Sequence, residues 1–157
     1  MDNKEKLFKY AINYLSKYSS SKKNLDYILR KKIRRIAEEK KIRFELYKEI
    51  NNILERLEKL NLLNDKFYTE SKINSLINQL KSKHYIKQYL IRKGISNELV
   101  NEQISLFYGN NLDIEKQNAL KFAKKRNLLN NNIDYEKKLR KMARAGFSYE
   151  VAKEILK

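Results

Sequence analysis

The stretch Leu90-Ile91-Arg92-Lys93-Gly94-Ile95-Ser96-Asn97-Glu98-Leu99-Val100-Asn101-Glu102-Gln103-Ile104 returns without a gap, 52 residues later, as Met142-Ala143-Arg144-Ala145-Gly146-Phe147-Ser148-Tyr149-Glu150-Val151-Ala152-Lys153-Glu154-Ile155-Leu156. Each copy reads as the end of a helix, a glycine, an apolar residue, a serine and a new helix. Gly94 and Gly146 can take the left-handed conformation that closes the first helix. The apolar residue that follows, Ile95 or Phe147, is placed to pack back on that helix's last turn. Ser96 and Ser148 are N-caps, and Glu98 or Glu150 in the next first turn is favourable near the positive end of the helix dipole. Two of the three glycines in the chain therefore serve the same joint, used twice.

Extending each copy backward gives three-helix units. In residues 66–112 the expected helices are 66–80, 83–93 and 97–107; in residues 113–157 they are 113–126, 134–145 and 149–157. Residues 1–65 hold the divergent unit, with long helices expected at 4–17, 24–40 and 44–60 and Asn24 as the cap of the second. This unit has no glycine where its joint should fall, so its second helix is expected to run long and its joint to sit near 40–43. Between Phe44 and Leu60, apolar residues at Tyr47, Ile50, Ile53, Leu54, Leu57 and Leu60 keep the spacing of one buried helix face. Ile73, Leu76, Ile77 and Leu80 repeat it, as do Leu139, Met142 and Ala143. Breaks fall at Ser19–Ser21, Gly109-Asn110-Asn111 and Asn130–Asn132. No long stretch alternates with period two. The fold class expected is all-α, with tandem three-helix repeats joined by short linkers (61–65 and 109–112) into an elongated, curved array.

Composition narrows the chemistry. The 157 residues contain no proline, cysteine or tryptophan and a single histidine, His84. Thiolate metal sites, disulfides, a cysteine nucleophile, a histidine zinc site and a Ser-His-Asp triad are thus excluded. Three glycines leave no phosphate-cradling loop of the GxGxxG or Walker type. No apolar run approaches the roughly 20 residues needed to span a bilayer, and no signal peptide is read. The expectation is a non-enzymatic, monomeric cytoplasmic protein with no cofactor, no metal and no membrane association. His84 reads as a surface residue at a helix start.

Lys+Arg number 36 against 19 Asp+Glu, a net charge of +17. The excess is shared: 17 basic against 10 acidic residues in 1–65, 7 against 3 in 66–112 and 12 against 6 in 113–157. A basic surface spread along every unit suits a long polyanion, whose phosphates release counterions when neutralised. The candidate contact residues are Arg30, Lys31, Lys32, Arg34 and Arg35 in the first unit and Lys87, Arg92 and Lys93 in the second. In the third they are Lys121, Lys124, Lys125, Arg126, Arg140, Lys141 and Arg144, with Lys137-Lys138 in the same dense run. Among the aromatics, Tyr14, Phe44, Tyr47, Phe107 and Phe147 read as core or joint residues, whereas Tyr85, Tyr89 and Tyr149 lie beside basic helices and could stack on bases. Glu38-Glu39 and Glu45/Glu49 read as intrahelical ion-pair partners rather than an acid–base dyad.

One family fits these residues in this order. The chain has Ala11-Ile12-Asn13-Tyr14-Leu15, a serine break and Leu25 to Lys32. It continues with Glu58-Lys59-Leu60-Asn61-Leu62-Leu63-Asn64-Asp65-Lys66-Phe67-Tyr68 and Arg92-Lys93-Gly94-Ile95, then closes on Arg144-Ala145-Gly146-Phe147-Ser148-Tyr149-Glu150-Val151. It resembles RecX, the regulatory protein of RecA, a family of tandem three-helix repeats, over essentially its whole length. It departs in lacking the first joint glycine and any glycine in Ser82–Ile86. The resemblance implies a regulator of DNA repair, homologous recombination and the SOS response. Its partners would be the RecA filament and single-stranded DNA, with duplex DNA a second candidate. It would lie along the filament groove and limit filament growth, strand exchange, ATP hydrolysis and co-protease activity, with no catalytic residues. From the residues alone, a basic DNA- or RNA-binding module of helix-turn-helix type, pairing 83–93 with 97–107, remains the alternative, and a coiled-coil scaffold over 24–60 is a third.

Overall fold

A computed structural model of the chain describes residues 2–109 and 113–157, so the turn at 109–111 and the linker at 109–112 lie partly outside the described residues. Every regular element among the described residues is a helix: α1 (Asn3–Lys17), α2 (Lys22–Ile36), α3 (Lys40–Lys59), α4 (Asp65–Asn78), α5 (Lys83–Arg92), α6 (Asn97–Tyr108), α7 (Asp113–Lys125), α8 (Tyr135–Arg144) and α9 (Tyr149–Ile155). They follow as three-helix groups, α1–α3, α4–α6 and α7–α9. The chain packs as two compact units, Met1–Tyr68 with Lys93–Ile95, and Thr69–Arg92 with Ser96–Lys157.

In the first unit, Leu25, Leu29 and Ile33 fall four residues apart on α2 and are fully buried with Leu7 and Ala11 of α1 and Ile50 and Leu57 of α3. Burying each large aliphatic side chain contributes roughly 1.5–3 kcal/mol. In the second unit, Ala119 and Ala123 of α7 let α9 approach closely, and Met142, Phe147 and Val151 fill the space. The Phe147 ring lies 5.5 Å from that of Phe122.

The repeated joint forms as the sequence expects. Gly94 and Gly146 have φ of +83° and +92°. After α8 the Phe147 N–H returns to the Met142 carbonyl (3.1 Å) and the Gly146 N–H to Ala143 (2.9 Å). Ser96 and Ser148 accept from the N–H groups of Leu99 and Val151 at 3.2 and 3.3 Å. The same closure ends α3, α4 and α7 with Asn61, Leu80 and Asn127 at positive φ in place of glycine.

What glycine adds at the joint is room. A Cβ on Gly94 would stand 2.6 Å from the Lys23 Cβ, and one on Gly146 would overlap the Ser82 hydroxyl. Ser21 and Ser82 are the caps of α2 and α5, accepting from Asn24 N–H (3.1 Å) and Tyr85 N–H (3.0 Å). Each joint thus lands on the start of the second helix of the preceding repeat. A carboxylate from the first turn of the next three-helix group, α4 or α7, lands there too: Asp65 accepts the Lys22 N–H (2.8 Å), and both oxygens of Glu115 accept the Lys83 N–H (3.0 and 3.1 Å). Ser21 also donates to the Lys93 carbonyl at 2.6 Å.

The first repeat departs from several expectations. Its second helix is capped by Ser21 rather than Asn24, whose amide reaches the Ser20 hydroxyl instead (3.0 Å). That helix ends at Ile36, not 40, and the joint sits at Ala37–Glu39 rather than 40–43. Without a glycine the chain leaves the helix through an extended residue, Ala37 at φ −121°, whose N–H bonds the Ile33 carbonyl. The Ala37 carbonyl is taken by the Arg43 Nε at 2.6 Å. Glu38 and Glu39 therefore lie in the break, and Glu49 pairs across to Lys4 of α1 (2.9 Å) instead of within its helix. Phe44, expected in the core, is 61% exposed. It stands two residues before buried Leu46, about 200° around the helix, where Lys48 covers its ring.

Candidate nucleic-acid interface

The basic residues of the first repeat lie on the outer face of α2, opposite its Leu25/Leu29/Ile33 stripe. Arg30 is committed to Asp26 one turn back (2.8 Å), which strengthens its hold on its proton, and its guanidinium lies 5.4 Å from the Tyr47 ring. Lys31 stands over Tyr27 and Lys32 over Tyr10, at 5.4 and 4.7 Å. Arg34 and Arg35 are exposed in the last turn, where cations favour the helix dipole. Lys32 also lines a cleft of about 390 Å³ with Lys6, Lys9 and Tyr10. The basic runs of the sequence do not single out Lys6 and Lys9, because α1 and α2 bring them to Lys32 only on folding.

In the second repeat, Lys87 is half-buried on α5, Arg92 ends that helix exposed, and Lys93 belongs to the joint through its carbonyl. None of these three joins the Lys32 cleft or the larger basic cleft of the second unit.

That larger cleft is the strongest convergence. Lys125 and Arg126 at the end of α7 and Lys141 and Arg144 in the last turn of α8 meet Lys81, which follows α4, around a space of about 690 Å³. Its floor is Leu80, Tyr85, Phe122 and Ala145, and no carboxylate among the described residues lines it. The end of α4 is held in place by Asn118 of α7, whose amide donates to the carbonyls of Ile77 (3.1 Å) and Lys81 (3.3 Å). Lys81 covers the Tyr85 ring at 4.8 Å and Arg126 the Phe122 ring at 5.7 Å. Three helix C-termini border the cleft, each worth about half a negative charge, so five full cations leave it clearly positive. Lys121, Lys124 and Arg140 are exposed outside this cleft. Lys138 leaves the basic run altogether. It stands four residues after its helix cap, where Leu25 and Ile86 stand after theirs, and it is 7% exposed. Its alkyl stem takes the core position.

The first unit carries a cleft of different character. Tyr18, Leu62 and Phe67 are exposed around a space of about 590 Å³ between the end of α1 and the α3–α4 turn, where Lys17 is the one charged lining residue among those described. Around it, Leu63 is buried, Asn64 caps α4 by accepting from Phe67 N–H (3.1 Å), and Asp65 holds α2. His84 is exposed in the first turn of α5. The described residues contain no cluster of metal-ligating side chains and no helix long and apolar enough to cross a membrane.

Residues 64–102 match the family description "RecX, second three-helix domain". The chain is similar to the regulatory protein RecX of Clostridioides difficile (strain 630), 34% identical over 128 residues, which are 75% of this chain and 59% of that protein. It is also similar to the regulatory protein RecX of Myxococcus xanthus (strain DK1622), 26% identical over 155 residues, 93% of this chain and 81% of that one. The crystal structure of RecX from Lactobacillus salivarius superposes with a TM-score of 0.71 at 25% identity, covering 98% of this chain and 94% of that one. A second crystal structure of a regulatory protein RecX gives a TM-score of 0.72 at 23% identity, covering 98% of this chain and 71% of that one.

Proposed function

The chain belongs to the RecX family, and from that premise we propose that it binds the RecA–single-stranded DNA filament and restrains recombinase activity, as a cytoplasmic regulator without catalytic residues. The observation that carries the reading is the pairing of chemistries on a family scaffold: a cleft that exposes Tyr18, Leu62 and Phe67 among Ser and Asn side chains suits a protein surface, and a basic cleft with no carboxylate among its described lining residues suits phosphate. The three repeats, 1–65, 66–112 and 113–157, each contribute cations, as a ligand of a long filament requires. Arg34, Arg35, Lys125, Arg126, Lys141 and Arg144 are the leading contacts, and Arg30 contributes less because Asp26 already offsets its charge.

Co-sedimentation tests this. RecA filaments assembled on a long single strand should carry the chain into the pellet at about 0.15 M salt, and replacing Arg30, Lys31, Lys32, Arg34 and Arg35 together by glutamine should lower retention and its salt dependence. A chain that stays in the supernatant with intact filaments contradicts the reading.

A further inference from the structure

We propose that the basic cleft of the second unit seats one unpaired nucleotide of a single strand, with its phosphate among Arg126, Lys141 and Arg144 and its base on the ring of Tyr85. The proposal deepens the DNA-binding half of the reading above and names Lys81, Tyr85 and Phe122 as binding residues that the charge pattern alone does not mark.

Three observations carry it. The first is size: about 690 Å³ lies within the roughly 300–1,000 Å³ range of small-ligand sites. The second is composition. Five cations and two aromatic rings share the wall, and Tyr85 is backed by Tyr89 in a stacked pair 6.5 Å apart at 24°. A nucleotide presents an anion and a flat π-face side by side, so its phosphate can draw Lys81 off the Tyr85 ring while its base takes that face, whereas an acidic peptide would engage the cations and offer the ring nothing in exchange. The third is charge balance. Neutralising three helix ends, at about half a charge each, accounts for fewer than two of the five cations. The remainder form no ion pair among the described residues. A base in duplex DNA is held inside its stack and cannot reach the Tyr85 ring, so the cleft selects single strands.

The test needs no RecA, so its failure leaves the filament reading standing. Fluorescence anisotropy compares the full chain, Tyr85→Leu and the double variant Lys141→Gln/Arg144→Gln on an oligothymidylate and on an abasic oligomer of equal length, with helicity checked by circular dichroism. The unaltered chain should bind the oligothymidylate more tightly than the abasic strand. Tyr85→Leu should weaken oligothymidylate binding by about tenfold and leave the abasic strand unaffected. The double variant should weaken both and lower the salt slope by about 0.7 for each phosphate no longer neutralised. Its two residues are exposed, so it carries the test if Tyr85→Leu loses helicity. Equal affinity of the unaltered chain for the two strands, or an unchanged oligothymidylate affinity in the double variant, overturns the proposal. Loss of polyglutamate binding in the double variant, with oligothymidylate binding intact, would also overturn it by assigning the cleft to an acidic protein segment.

Discussion

The joint after α2 and the joint after α8 solve the same problem by different means. After α8 the chain turns through a left-handed glycine, and the missing Cβ lets Gly146 sit against the cap of α5. After α2 it turns through extended Ala37, and Arg43 of the next helix fills the space and takes the free carbonyl. Turning the chain therefore does not demand glycine here. Closeness to the start of another repeat's helix does. The glycine marks a docking point between repeats, and where the joint packs instead on its own third helix a larger residue and a guanidinium serve.

The comparison breaks most sharply at Gly146. Gly146→Ala should cost about 2–4 kcal/mol in urea unfolding, from the left-handed backbone together with the overlap at Ser82. Gly146→Asn should cost nearly as much, although asparagine tolerates positive φ; a mild effect would mean that the turn and not the docking sets the requirement. Ser21→Ala should cost about 1–2 kcal/mol, since one hydroxyl caps α2 and also holds the Lys93 carbonyl of the second repeat's joint. Ala37→Gly should lose about 1–1.5 kcal/mol, through backbone entropy and the loss of one buried methyl group. A gain there would mean that the first joint is strained for want of glycine.

The smallest effect concerns the carboxylates that land on α2 and α5. Burial raises the Glu115 carboxyl above its ordinary value of 4.5, against the Lys83 N–H that favours its charged form. The folded state then holds this proton more tightly than the unfolded chain, so the contribution to stability is greatest at low pH and falls as pH rises from about 4.5 through the raised value. Glu115→Gln keeps an acceptor for Lys83 and should change stability at neutral pH by less than about 0.5 kcal/mol, while flattening the fall with pH measured by thermal unfolding.

The glycine joints were legible because glycine is scarce in this chain and recurs at one spacing in one context. The caps Ser96 and Ser148 followed, since capping is a short-range matter of three residues. The first joint was not legible: the Arg43–Ala37 hydrogen bond depends on the path of the chain between two helices, and nothing in a run of Ile, Ala and Glu announces it. Phe44 lies three residues before Tyr47 and so falls on a stripe drawn through it, whereas the buried stripe of α3 begins at Leu46. The candidate site was half legible. Lys124-Lys125-Arg126 and Lys141 with Arg144 stand out as runs, but their union with Lys81, Tyr85 and Phe122 comes from packing of α4, α7 and α8 that no linear pattern encodes. Lys138 shows the converse, a lysine in a basic run that occupies a core position.

The decisive measurement is ATP hydrolysis by RecA on single-stranded DNA, followed as this chain is titrated in. Saturable inhibition is expected, and it should weaken when Lys141 and Arg144 are replaced by glutamine. An unchanged rate of hydrolysis at saturating chain would contradict regulation of the filament by this protein.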